Sequence, residues 1–175
     1  SERLQLWNNA NQAKITLYLD GDKGMIYNRI SGTEPKFYRL VVNKGNSIAT
    51  TASFNSSYTL NGSTSGVGVA KALELQNGLF IHNTTSSLSL TTGNDHFIIP
   101  STAGLEMKQG TARVSGTSGI ALDGLLRLSG GSVDMSGGDN PIEYSASGNA
   151  SIEVTSGTLT VGGQIRRSAT SDVGI

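Results

Sequence analysis

The chain has 175 residues, of which 36% are hydrophobic and 15% charged, and 13 basic residues balance 13 acidic ones. Its length suits one domain, its zero net charge and lack of a basic stripe argue against nucleic acid as a partner, and its lack of cysteine excludes disulfides and thiolate metal sites. No apolar run approaches the ~20 residues of a membrane span, and regular alternation of apolar residues argues against the disorder that so much Gly, Ser, Thr and Asn could suggest.

Residues 1–30 carry two alternating stretches, Leu4-Gln-Leu6-Trp7 and Ile15-Thr-Leu17-Tyr-Leu19, with Asp20-Gly21 as a turn and Met25-Ile-Tyr27 as a further short strand. Trp7, the only tryptophan, is expected to cap the first coil or join the core. Residues 31–36 read as a polar corner. The most apolar run of the first half, Phe37 to Gly45, is followed by Ser47 to Phe54 and by Tyr58-Thr-Leu-Asn-Gly62. A loose corner, Ser63 to Gly66, then leads through Val67 to Ala72. Lys71 to Gln76 has some helical propensity, but its match to later copies assigns it to a strand.

A short phrase then recurs four times: Leu73-Glu-Leu-Gln-Asn-Gly78, Leu105-Glu-Met-Lys-Gln-Gly110, Leu126-Arg-Leu-Ser-Gly-Gly131 and Ile152-Glu-Val-Thr-Ser-Gly157. Its copies begin 32, 21 and 26 residues apart. After each glycine comes a second strand: Leu79-Phe-Ile81, Ala112-Arg-Val114, Val133-Asp-Met135 or Leu159-Thr-Val161. A third is traced through Leu88-Ser-Leu90, Ile120-Ala-Leu122 and Ile142-Glu-Tyr144, while Phe97-Ile-Ile99 before Pro100 reads as an extra piece lengthening one coil. Asp139-Asn-Pro141 reads as a corner, with Pro141 opening a strand where its missing N–H does least harm.

Alternation of apolar and polar residues is the period of a strand with one buried face. Runs this short cannot bury a core alone, but stacking each on its equivalent about 4.8 Å away turns the inward residues into ladders. The expected fold is therefore all-β: a right-handed parallel β-helix with about three short strands per coil, forming a single domain over 1–175 that is most regular over 73–165. Coils of ~25 residues give about seven turns and a rod of roughly 30–35 Å. Leu75, Met107, Leu128 and Val154 are expected in one interior column. The abrupt start and end are read as those of a segment of a larger protein.

Phe37-Tyr-Arg-Leu-Val-Val-Asn-Lys-Gly45, Tyr58-Thr-Leu-Asn-Gly62, Leu73-Glu-Leu-Gln-Asn-Gly78, Ser129 to Met135 and Gly157 to Gly163 together resemble the β-strand-repeat proteins of Bacteroidota and similar bacteria. These are very large secreted or surface proteins, adhesin-like in character. The resemblance covers about residues 20–165 and implies a parallel β-helix within an extracellular stalk or adhesin. It supplies no catalytic residues, and this chain departs from the pattern in lacking the C-terminal sorting module.

Several constellations invite a chemical reading. Glu74, Glu106, Arg127 and Glu153 hold the same place in successive copies and are expected to stack as an outward charge ladder, with Arg127 between Glu106 and Glu153. A polysaccharide lyase or hydrolase would use such carboxylates ~5–9.5 Å apart, yet neighbouring rungs bring almost any outward pair near that range. Arg113 and Asp134 make a similar adjacent pair. Gly130-Gly-Ser-Val-Asp134 and Gly137-Gly-Asp-Asn140 lack the nine-residue period and third glycine of a calcium-binding repeat. His82 and His96 read as solvated corner residues. Gly66-Val-Gly68-Val-Ala-Lys71 has no surrounding βαβ unit to make it a dinucleotide loop. Asn55, Asn61, Asn83 and Asn149 match a glycosylation pattern of the kind that so Asn/Ser/Thr-rich a chain produces by chance.

The sequence thus points to a non-catalytic structural or adhesive segment of a large extracellular bacterial surface protein, not an enzyme, with no catalytic residues, metal or cofactor. The expected partners are other modules of the same protein, and glycans or host or cell-surface proteins; no nucleic acid and no membrane span are expected. The alternative is a carbohydrate-active β-helix, either lyase- or hydrolase-like or glycan-binding.

Overall fold

The structure, a computed structural model, describes residues 15–60, 72–90, 95–114, 118–146 and 149–168. Every regular element among them is a strand, and every pairing is parallel. The strands wind into a parallel β-helix of about six turns. Trp7 and Leu4–Leu6 lie outside the described residues, as do residues 61–71 with the Gly66–Lys71 segment. No described helix is long and apolar enough to cross a membrane.

Each coil lays one strand on each of three faces. The first holds β1 (Thr16–Gly21), β2 (Met25–Tyr27) and β3 (Lys36–Phe37); the second holds β4 (Arg39–Lys44), β5 (Thr51–Phe54) and β6 (Thr59–Leu60). In the third, β7 (Leu73–His82) bends across the first two faces and β8 (Ser87–Ser89) takes the third. The fourth holds β9 (Phe97–Ile99), β10 (Ala103–Met107) and β11 (Thr111–Arg113). In the fifth, β12 (Ile120–Leu122) precedes β13 (Leu125–Met135), and in the sixth β14 (Ile142–Tyr144) precedes β15 (Ser151–Val161); both long strands bend across the second and third faces. A final strand, β16 (Ile165–Arg167), pairs with β14 and begins the next turn. Phe37 to Gly45 is accordingly not one strand. It breaks at Tyr38, placing Phe37 on the third face and Leu40 to Val42 on the first.

The second face carries the longest ladders. One inward column runs Met25, Ala52, Phe80, Leu105, Leu126, Ile152, and the next runs Tyr27, Phe54, His82, Met107, Leu128, Val154. The interior changes character along the rod: a cluster of rings, Tyr27, Phe37, Phe54, Tyr58 and Phe80, fills the first three coils, and beyond it the core is mostly aliphatic, with Phe97 a buried ring in the fourth coil. Met107 and Leu128 are fully buried, while Val154, at the last described coil, is 49% exposed. Removal from water stabilises each fully buried side chain by about 1.5–3 kcal/mol.

The column corrects one expectation. Met107, Leu128 and Val154 are stacked, but Leu75 is not among them: it lies on the first face over Val42, and His82 fills the interior place. The phrase at 73–78 has the same alternation as the later three, yet Gly78 turns the corner from the first face to the second, whereas Gly110 and Gly157 turn from the second to the third. A glycine marks a corner without saying which. The strand assignments shift with it. Leu79 to Ile81 pairs with Gly104 to Glu106, and Leu88 pairs with Ala112 on the third face. Phe97–Ile99 is not an insertion but the first-face strand of its coil, in register with Ile120–Leu122.

Two ladders are interrupted. On the first face, β1–β4–β7 and β9–β12–β14–β16 belong to separate sheets; on the third, β3–β6 stands apart from β8–β11–β13–β15. The third coil is the common boundary of both breaks.

Candidate functional site: charged columns on the outer faces

Alternation that buries Leu105 and Met107 turns Glu106 outward, and parallel register sets Arg127 over Glu106 and Glu153 over Arg127. Arg127 Nε donates to Glu153 Oε2 at 2.7 Å, and Nη1 lies 3.6 Å from Glu106 Oε2. Glu106 is itself only 5% exposed. It also accepts a hydrogen bond from Ser129 Oγ at 2.7 Å and has Lys108 Nζ at 3.9 Å. The hydrogen bond to Glu153 raises the pKa of Arg127, against desolvation and with help from the charges of Glu153 and Glu106. The two carboxylates stand two rungs apart, about 10 Å. The guanidinium occupies the space between them, where a glycosidase would hold sugar or water.

Glu74 stands elsewhere. In register it faces Val41 on the first face, and its ion-pair partner is Arg39. Arg39 Nε is buried without a hydrogen-bond partner. A depression of about 310 Å³ lies where β7 and β9 fail to pair, lined by Leu73, Glu74, Leu75, Phe97 and Ile98.

Arg113 and Asp134 are adjacent rungs as expected. Hydrogen bonds from Ser136 Oγ (2.6 Å) and N (3.0 Å) lower the Asp134 pKa, helped by the charge of Arg113. Ser136 to Asp139 form a turn, after which Asn140 is fully buried and donates to Met135 O at 3.4 Å; Pro141 then leads directly into β14. Among the described residues no group of three His, Asp or Glu could hold a metal ion.

Polar corners also stack. Asn77 Nδ2 donates to Asn43 Oδ1 at 2.7 Å, and Asn43 Nδ2 to Asp20 Oδ1 at 3.1 Å. At the next corner Gln109 Nε2 donates to Asn83 Oδ1 (3.3 Å), and Asn83 Nδ2 to Asn55 Oδ1 (3.1 Å). Two of the four glycosylation-pattern asparagines are thus rungs of one amide ladder, while Asn61 lies outside the described residues.

The histidines differ from expectation. His96 is half-buried: its Nδ1 accepts from Gly119 N at 2.8 Å, and Nε2 lies 3.5 Å from Glu143 Oε2, which belongs to a carboxylate that also takes two hydrogen bonds from Arg166. His82 is not a solvated corner residue at all. It is fully buried in the interior column, with Nδ1 2.7 Å from Tyr58 Oη and Nε2 2.9 Å from Ser86 O. Its parity with Phe80 was the available sign, since alternate residues of one strand share a face. The pairs Arg39–Glu74 and Glu143–Arg166 join segments 35 and 23 residues apart, and nothing local in the sequence announces them.

No protein family, no curated protein and no solved structure matches this chain.

Proposed function

We propose that this chain is a non-catalytic structural or adhesive segment of a larger extracellular surface protein, its coils acting as a spacer that carries other modules or meets glycans and host or cell-surface proteins. The observation that supports this reading is where the outward carboxylates are spent. Glu74 is held by Arg39, Glu106 and Glu153 by Arg127, Glu143 by Arg166, and Asp123 by Ser145 Oγ at 2.5 Å. Each contact ties one coil to another, so these acids serve cohesion along the rod.

A spacer tolerates the loss of a whole coil. Gly104 and Leu125 are register equivalents, so deleting residues 104–124 from the full-length protein removes one complete turn. The expected product folds, is shorter by about 4.8 Å, and leaves neighbouring modules working. Release of reducing ends or unsaturated sugars from a polysaccharide panel by the intact chain, abolished in the deletion, would instead establish the carbohydrate-active alternative.

A further inference from the structure

Among the described residues, the third face has no backbone ladder between the second and third coils: β6 and β8 lie in different sheets. Side chains cross that boundary instead. Tyr58 Oη meets His82 Nδ1 at 2.7 Å, and Ser57 Oγ meets Thr84 Oγ1 at 3.3 Å. We propose that the Tyr58–His82 pair is an acid-sensitive latch, and that protonating His82 opens the third face between these coils and uncovers the aromatic part of the core.

The proton inventory follows from the partners. Ser86 O is a carbonyl and can only accept, so Nε2 carries the imidazole hydrogen. Nδ1 is then the acceptor for the Tyr58 hydroxyl, and neutral His82 is fully satisfied. A second proton would go to Nδ1, displace the hydroxyl hydrogen from its acceptor, and put a charge on a side chain with no solvent exposure. Among the described residues, nothing packed against the ring supplies a countercharge. Strand β5 presents Phe54 and β10 presents Met107, while the adjoining corners present Tyr58, Thr84, Ser86 and Gly110. The charged residues flanking Met107, Glu106 and Lys108, approach each other to 3.9 Å, and Glu106 pairs with Arg127 in the outer column. Burial accordingly lowers the His82 pKa, partly offset by backbone hydrogen bonds at Ser86 and Thr84.

A base whose pKa is depressed in the closed form binds its proton preferentially in the open form. Latch stability is therefore complete above the ordinary histidine pKa of ~6.5 and declines below it, by up to about tenfold per pH unit, until the folded-state pKa is reached. Hydrogen exchange on the wild-type protein, corrected for intrinsic rates, should show protection of amides 54–60 falling in that way while β13 amides keep theirs. Ring resonances of His82 should titrate below those of a free histidine. Tyr58→Phe, which keeps the ring and removes the hydroxyl, should lower protection at neutral pH and flatten the dependence; His96→Gln should leave both unchanged. Protection at 54–60 that stays level between about pH 7.5 and 5, or a His82 ring that titrates at or above ~6.5, would overturn the latch.

Discussion

Arg127 Nε donates to Glu153 Oε2 at 2.7 Å across a coil boundary. Glu153 is 43% exposed in its side chain, but Arg127's other partner, Glu106, is 7% exposed. An exposed pair contributes about 0–1 kcal/mol, whereas a nearly buried carboxylate stripped of its cation loses more. Arg127→Leu should therefore cost about 1–3 kcal/mol in urea denaturation. Adding Glu106→Leu should restore part of the loss, because the buried charge goes with its partner. Equal stability of Arg127→Leu and wild type would mean that the column contributes nothing to the rod.

Leu128 and Val154 share one interior column, yet Leu128 is fully buried and Val154 is 49% exposed. Leu128→Asp, or Val133→Asp on the equally buried third-face column, buries an unpaired charge and should unfold the domain at a cost of several kcal/mol. Val154→Asp should cost about 1 kcal/mol or less. Circular dichroism and chemical denaturation separate the cases, and a soluble Leu128→Asp protein with an unchanged spectrum would contradict the column.

Period-two alternation, frequent glycine and the recurring phrase suffice to indicate stacked short strands, because those features reflect local backbone geometry. Register is another matter. Leu73-Glu-Leu75 and Leu105-Glu-Met107 look alike, but the first pairs with Leu40 to Val42 on one face and the second with Phe80 to His82 on another. Three residues of alternation fix which side is inward without fixing which face of the triangle the strand occupies. The Arg127 ladder was legible because its three members do lie in successive copies. The burial of His82 is legible only in part: its parity with Phe80 marks the inward face, but the partner that satisfies it there, Tyr58, lies 24 residues away and nothing local points to it.

Gly78 and Gly32 both have positive φ, +88° and +93°, but they differ in surroundings. A Cβ on Gly78 would sit 2.6 Å from Lys44 O and 2.9 Å from Thr50 O, while one on Gly32 would meet nothing within 4 Å. Gly32→Ala should cost only the left-handed backbone penalty, about 1 kcal/mol. Gly78→Ala adds a clash with the backbone of the preceding coil and should cost about 3 kcal/mol or more. Equal melting temperatures for the two variants would show that the corner has room to spread.

Strand β13 is paired on both edges, by β10 and β11 on one side and β15 on the other, whereas among the described residues β15 pairs with β13 alone. The inward positions follow suit: Leu126, Leu128 and Val133 are fully buried, while their register partners, Ile152, Val154 and Leu159, are only partly covered. Opening β15 breaks one ladder and exposes little new apolar surface; opening β13 breaks two and cuts the core. Exchange of β13 amides should therefore require global unfolding, and β15 amides should exchange at least about tenfold faster in native conditions. If this chain is part of a longer protein in which a further turn covers β15, the same amides in that longer chain should gain protection approaching that of β13. A β15 that is already as protected as β13 in the isolated 175-residue chain would mean that its second edge is covered by some other part of this chain.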